Sequence, residues 1–329
     1  MQRSVGIREL ADDLGVSIGS VSNAINHPDL VSKRMRDRVA EAAARLGFVR
    51  NELARQLRSG FGTTVGMIVL DIANPFFASL ASICQEAAEA KGLNVILASS
   101  NQDEAREARL VHLFEEQRVR GLLIAPVNGP SATMSLVQQR GMPMVLFDDT
   151  HPSSEFCSVA LNGYAAGRMA AEHLASKGRR RITFVGGPID QVSDRFTGAR
   201  DVCESLGLEL AFEATAAQTV VYGRQAGERI FDGSRPAPDG IFAANDVLAL
   251  GLLQAIRARN ELNIPRDLSI VSVDDSEYAA SAVVPLTTLR QPLDKIAVSS
   301  IDLLETHGDD AHTHRHIGLA PELIVRMSS

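Results

Sequence analysis

The sequence has only three cysteines, Cys84, Cys157 and Cys203, scattered and without a C-x-x-C pair. Neither a disulfide framework nor a thiolate metal site is expected from them, and they read as small buried thiols. Nowhere do about 18 uninterrupted apolar residues occur, the length that a membrane-spanning helix needs. The first ten residues alternate charged and apolar positions and lack the apolar core of a secretory signal, so a cytoplasmic location without a membrane partner is expected. There is no G-x-x-x-x-G-K-[ST] loop. "GFGTTVG" (60–66) resembles a dinucleotide loop but precedes its apolar run instead of following it, where the pyrophosphate site would not form. "HTHRH" (312–316) would hold a metal only if His312, His314 and His316 shared a strand face. In a hydrophilic stretch it reads as a solvated loop. No nucleophile, metal cluster or acid–base pair has enzymatic spacing, so neither activity nor a cofactor nor a metal is expected.

The net charge of -7 hides an asymmetry. Residues 1–60 hold ten Lys or Arg against seven Asp or Glu, while the other 269 residues hold 23 against 33. A basic head on an acidic body suggests that the head meets a polyanion. The head is helical by pattern: Ile7 to Leu14, Ile18 to Asn26 and Ser32 to Leu46 carry apolar residues at three- and four-residue spacing, and Gly47 ends the third segment. Its "GVSIG" (15–19) matches the G-x-S-x-G of serine hydrolases, but a nucleophile elbow needs a strand before its serine. Here "IRELADDL" is an amphipathic helix. A helix-turn-helix accounts for each position instead. Ala11 is small where two helices cross, Gly15 permits a positive backbone angle, Val16, Val21 and Ile25 fill a small core, and Ser17 caps the second helix. That helix presents Ile18, Gly19, Ser20, Ser22, Asn23 and Asn26, short side chains that reach base edges and phosphates in a major groove.

From Thr64 the pattern changes. "VGMIVL" (65–70), "NVILAS" (94–99), "GLLIAP" (121–126), "MVLF" (144–147), "RITFVGG" (181–187), "GIFAAN" (240–245) and "SIVSVDD" (269–275) alternate with amphipathic stretches. Continuous apolar strands followed by helices indicate buried parallel sheets, and seven in two groups indicate two doubly wound lobes with a cleft between them. Ligands in such sheets bind beyond the carboxyl ends of the strands.

The head segment "LADDLGVSIGSVSNAIN", followed by "VSKRMRDRVAEAAARLGFVRNELARQLRSG", resembles the DNA-binding head of LacI/GalR-type transcription regulators. The body continues the resemblance through "VGMIVLDIANPFF", "HLASKGRRRITFVGG", "DRFTGAR", "IFAANDVLALG", "SIVSVDDSEYA" and "PLTTLRQP". The expected fold is an N-terminal all-α helix-turn-helix head plus an α/β periplasmic-binding-protein-like core of two parallel-sheet lobes. Expected boundaries are 1–48 for the head, 49–63 for a hinge helix and linker, and 64–329 for the core. Within the core, the N-lobe takes about 64–161 and 291–318 and the C-lobe about 162–290 and 319–329.

The resemblance implies a homodimeric repressor at a palindromic double-stranded operator, associated with the nucleoid, whose affinity is altered by a small polar molecule in the cleft. It makes Val49 to Gly60 a hinge ordered in the minor groove, with Leu57 as a wedge, Ala54 beside it, and Arg50, Arg55 and Arg58 on phosphates. Leu57 also has a plainer reading, packing within the hinge. Ile18 and Gly19 stand where the family has larger polar or aromatic residues, and Asn23 replaces a frequent arginine, so atypical half-sites are expected. For the effector the resemblance implies Asp71, Asn74, Phe76, Phe77, Asp148, Arg195, Tyr222, Asn245, Asp274 and Gln291, with Arg195 and Asp274 reaching it from opposite lobe segments. A sugar fits this set best, and a nucleobase or another polar metabolite remains open. Other roles exist for the same residues: Asp274 or Asn245 capping the next segment, Arg195 pairing with Asp194 or Asp201, Phe76 and Phe77 in the core. The helices at 75–91 and 292–305 are expected to dimerise, and no leucine heptads follow Arg326. A solute-binding protein without DNA activity is the alternative, opposed by the basic head.

Overall fold

The structure is a computed structural model, and it describes residues 5–48, 62–148, 153–234, 236–259, 262–307 and 312–329. The chain divides into two compact units, Met1–Gly62 and Thr63–Ser329.

In the first unit, α1 (Ile7–Leu14), α2 (Ile18–Asn26) and α3 (Lys33–Leu46) enclose a core of Leu10, Ala11, Val21, Val39 and Ala42. Gly15 ends α1 at φ 65°, a left-handed conformation that costs glycine nothing, and so turns the chain into α2. Ser17 then caps α2, its hydroxyl accepting the Ser20 N–H at 3.0 Å. Ser32 lies just outside α3 and caps it through Met35 N–H at 3.3 Å.

The second unit holds two six-stranded sheets. The first contains β1 (Thr64–Val69), β2 (Asn94–Ser99), β3 (Gly121–Ile124), β4 (Met144–Phe147), β5 (Cys157–Leu161) and β11 (His316–Leu319), in the order β11-β5-β4-β3-β1-β2, all parallel. The second contains β6 (Arg181–Gly186), β7 (Glu209–Ala214), β8 (Gly240–Ala243), β9 (Ser269–Asp274), β10 (Thr287–Arg290) and β12 (Glu322–Ile324), in the order β12-β10-β9-β8-β6-β7, with only β12 antiparallel. Strands β3, β4, β8 and β9 are buried along their whole length, which is why they are continuous apolar runs. In each sheet the order reverses beside the first strand of its lobe. The chain passes between the lobes three times: after β5, after β10 and after β11.

Helix α4 (Pro75–Glu89) follows β1, α5 (Glu104–Glu116) follows β2, and α6 (Ala132–Gln139) follows β3. After the first crossing, α7 (Gly163–Ser176) packs on α8 (Ile189–Leu206) at close range. A Cβ at Gly167 would fall 1.9 Å from the Arg195 carbonyl, and one at Gly198 2.1 Å from the Tyr164 carbonyl. Two glycines thus set the height of α8, and with it the position of Arg195. Beyond β7 come α9 (Val220–Ile230), α10 (Asp246–Arg259) after β8, the short α11 (Glu277–Ser281), and α12 (Leu293–Thr306), which returns to the first lobe and packs on α4.

Gly19 sits inside α2, where a Cβ would meet nothing closer than the Ser17 hydroxyl at 3.7 Å. Gly19→Ala is therefore expected to stabilise the head by up to about 1 kcal/mol through helix propensity. Chemical denaturation of the full chain, followed by far-UV dichroism, should show a higher midpoint for the head transition; a lower one would contradict this account of the site.

Candidate functional site

On the head, Ser17, Ile18, Gly19 and Asn23 form an exposed strip along the start of α2, with Ile18 47% accessible despite its apolar side chain. Ser20, Ser22 and Asn26 are half-buried and already hydrogen-bonded. The Ser20 hydroxyl lies 2.9 Å from that of Ser17, and the Asn26 amide donates to the Ser22 carbonyl at 3.0 Å and hydroxyl at 3.2 Å. Lys33 and Arg34 are exposed at the start of α3. Arg36 and Arg38 instead tie down the head, donating to the carbonyls of Pro28 and Leu14 at 2.9 and 3.0 Å. Arg50, Ala54, Arg55, Leu57 and Arg58 lie outside the described residues.

In the body, one cleft is lined from both sheets, entirely by segments that follow strand carboxyl ends. From the first lobe come Asp71, Asn74, Phe76 and Phe77 after β1, Gln102 after β2, Val127 and Asn128 after β3, and Asp148 after β4. The second supplies Asp190, Gln191 and Arg195 after β6, Gln218 after β7, Asn245 after β8, Asp274 at the end of β9, and Gln291 after β10. Nine of the ten residues expected from the sequence are thus brought together. Tyr222 is not: it lies in the first turn of α9 and packs on the core of the second lobe. Gln218, just ahead of the Thr219 cap, is what that segment sends into the cleft.

Several of the plainer roles hold at the same time. Asn245 caps α10 through the Leu248 N–H at 2.9 Å, Asn74 accepts the Phe76 N–H at 3.1 Å, and Asp71 accepts that of Ala73 at 2.9 Å. Each such bond occupies one oxygen and orients the remainder of the side chain. Phe76 and Phe77 are core residues and cleft residues together, with ring centroids 5.0 Å apart in an edge-on pair. Arg195 does not pair with Asp194 or Asp201. It donates to the Ala244 carbonyl at 2.9 Å and faces Asp148 across the cleft at 3.8 Å, while Asp201 accepts the Tyr164 hydroxyl. Arg195 and Asp274 also do not come from opposite lobes. Both belong to the second, and the first-lobe partner is Asp148.

Asp274 is set by a neighbour that the sequence did not single out. Buried Asp246 accepts the Ser272 hydroxyl at 2.6 Å, the Thr288 hydroxyl at 2.9 Å, and the N–H and hydroxyl of Ser276 at 2.7 and 2.8 Å. These four bonds satisfy the carboxylate and lock β9, β10 and the entry to α11 together. Burial, and then repulsion from Asp246, push Asp274 well above the ordinary carboxylate range, opposed by the Arg195 guanidinium and the Gln291 amide. Gln291 Nε2 donates to Asp274 at 2.8 Å, which leaves Gln291 Oε1 buried and without a partner among the described residues. The backbone is strained at the same place: Asp274 has φ 116°, Asp148 has φ 52° and Gln102 has φ 57°. Asp275, next to Asp274, turns away from the cleft and is held by Arg290 at 2.7 Å and Arg326 at 2.5 Å.

Behind the cleft, Glu107 of α5 is 2% accessible and accepts the Val127 N–H at 2.8 Å, fixing the loop after β3. Burial pushes its carboxyl up to about 7 from an ordinary 4.5, the Val127 bond acting against this and Glu104 adding to it. The folded chain thus holds a proton that the unfolded chain releases at lower pH. Its contribution to stability is present below pH 4.5 and is lost as pH rises through about 7. Glu107→Gln should flatten the fall in denaturation midpoint over that window while keeping the bond to Val127. An unchanged slope would place the titration elsewhere.

Sequence comparison fits this arrangement. Residues 6–51 match the family of bacterial regulatory proteins described as the lacI family, and residues 171–329 match a periplasmic binding protein-like domain. The ribose operon repressor of Bacillus subtilis is 30% identical over 87% of this chain and 86% of its own. A periplasmic binding protein/LacI transcriptional regulator from Alkaliphilus metalliredigens QYMF, solved with D-xylulofuranose, is 26% identical, covers 82% of this chain and 99% of its own, and superposes with a TM-score of 0.73. The lac repressor dimer bound to operator and the anti-inducer ONPF shares the fold over 99% of both chains, with a TM-score of 0.85 at 24% identity. With a helix-turn-helix head and a two-lobed binding cleft on one chain, the protein belongs to the lacI family of bacterial regulatory proteins.

Proposed function

We propose that the chain is a transcription repressor that binds a palindromic operator as a homodimer and takes a small neutral sugar as its effector. The carrying observation is the buried, unpartnered Gln291 Oε1 in the cleft, beside an Asp274 carboxylate held by a single amide bond and Arg195. A ligand hydroxyl donates to such acceptors and relieves the cost of burying them. Apart from Asp274, whose burial favours its proton, the described lining has three carboxylates, Asp71, Asp148 and Asp190, against one cation, Arg195. That balance favours an uncharged polyol over an anion such as a sugar phosphate. Phe76 and Phe77 offer an apolar wall for the less polar face of a ring. The relatives point the same way, one by the name of its operon and one by its bound D-xylulofuranose.

Coupling to DNA then follows from the lobes. Asp148 and Val127 of the first lobe meet Arg195 and Gln191 of the second, at 3.8 and 3.3 Å. A ligand seated among them favours one lobe angle over another, and operator affinity changes by the difference in its affinity for the two. In this proposal the outer faces of α4 and α12 meet a second copy, and the paired 49–63 segments carry Leu57 into the minor groove with Ala54 alongside. Arg50, Arg55 and Arg58, with Ser17, Ser20, Ser22 and Asn26, contact the duplex around Ile18, Gly19 and Asn23. No helix among the described residues is long and apolar enough to cross a membrane. A cytoplasmic location at the chromosome is part of the proposal.

The test is fluorescence anisotropy on duplexes selected from random double-stranded DNA at low ionic strength, with neutral pentoses and hexoses and their phosphates added in turn. Affinity should fall steeply with salt, by counterion release. A neutral sugar should shift it by about 5-fold or more. Binding to no duplex, or a response to phosphates alone, would overturn the reading.

A further inference from the structure

The histidine stretch is a loop leading into β11, with Thr313 and Arg315 exposed and His312 and His314 half-buried. His312 and His314 precede β11 and lie over the buried Cys157 at the start of β5, with the Cys157 Sγ 3.3 Å from His312 Nε2 and 3.8 Å from His314 Nδ1. These three atoms lie within 4.8 Å of one another. His307, just after α12, stacks on His312 with ring centroids 4.3 Å apart and stands 5.5 Å from His314. Its Nε2 is buried and has no hydrogen-bond partner among the described residues.

We propose that Cys157, His312 and His314, with His307 as the fourth donor, form a zinc site that fastens the last interlobe crossing to the first lobe. Tetrahedral zinc with Zn–S about 2.3 Å and Zn–N about 2.0–2.1 Å separates sulfur from nitrogen by about 3.5 Å. The two observed separations lie on either side of that value. His307 reaches the fourth position by turning its ring off His312, which gives its stranded Nε2 a partner. The donors are one thiolate and imidazoles, with no carboxylate or carbonyl oxygen among them, a set that suits zinc and disfavours magnesium or calcium. The Arg315 backbone N–H donates to the Cys157 Sγ at 3.4 Å, a bond that a ligating sulfur keeps. His316 takes no part; its Nδ1 pairs with the Ser158 hydroxyl at 2.8 Å and helps register β11 beside β5.

The position gives the site its consequence. Strand β11 runs on through Ala320 and Pro321 into β12 of the second lobe, so an ion joining β5, the start of β11 and the end of α12 anchors that crossing. On binding, the thiol proton passes to solvent and a Zn–S bond forms, with no change of oxidation state. Metal that binds the folded chain better than the unfolded one raises its melting temperature.

The experiment uses untagged full-length protein stripped with a chelator and titrated with zinc chloride by calorimetry and with cobalt chloride by absorbance. One zinc per chain should bind at micromolar affinity or tighter, the melting temperature should rise, and cobalt should show a thiolate charge-transfer band with tetrahedral d–d bands. The His312→Asn/His314→Gln double variant, on half-exposed positions, should lose at least about tenfold in affinity while keeping its far-UV dichroism. Cys157→Ser should abolish the charge-transfer band. Absence of stoichiometric zinc, equal affinity in the double variant, or cobalt bound without the thiolate band would each overturn the proposal.

Discussion

Two buried acids past neighbouring strand ends, Asp246 after β8 and Asp274 at the end of β9, set the character of the cleft. Asp246 accepts a hydrogen bond from Ser272, one from Thr288 and two from Ser276. Burial pushes its carboxyl above the ordinary range, and those four bonds act against the burial. Asp274 has a single donor from Gln291 and looks across at Arg195, so its charge is costly until something else hydrogen-bonds to it. Satisfying one acid and starving its neighbour gives a site that is rigid before ligand arrives and incomplete without it. The unpartnered Gln291 oxygen and the strained backbone at Asp274 and Asp148 belong to the same arrangement.

That arrangement also accounts for how a signal leaves the cleft. Asp274, Arg195 and Gln191 belong to one lobe, Asp148 and Val127 to the other, and Gln291 to the connection that crosses between them after β10. Ligand bound by all of them cannot be indifferent to the angle between the lobes. Close packing at Gly167 and Gly198 keeps α8 from absorbing the change locally, so Arg195 moves with its lobe.

The sequence made the head legible nearly to the residue, because its signals are local: a left-handed glycine, a serine cap and helical spacing of apolar residues. Strands β1, β2, β3, β4, β6, β8 and β9 were legible as apolar runs. The interior strand β5 was not, its short run being broken by Ser158; nor were the edge strands β7, β11 and β12, which bury too little to be apolar, or β10, buried through threonines whose hydroxyls are satisfied by partners far along the chain. Gln218 was missed because it follows β7, one of those faint strands. Gln102, Asn128, Asp190 and Gln191 follow strands that were recognised, and the rule that ligands gather past strand ends would have found them. Tyr222 was misplaced by a single helical turn: the cap at Thr219 turns its ring onto the core. Asp246 and the company of Cys157 with two histidines depend on contacts between residues 26 to 157 positions apart, which no local pattern carries.

The central claim is that Asp274 is an effector ligand made available by its crowded burial. It is tested most directly by calorimetric titration of the wild type and Asp274→Asn with whichever neutral sugar shifts operator affinity. Asparagine removes an ionisable group whose charge burial and Asp246 both oppose, so the variant should fold at least as well as the parent. It should bind that sugar about 10- to 100-fold more weakly, the worth of a hydrogen bond to a charged group. A variant that folds and binds with unchanged affinity would contradict the account.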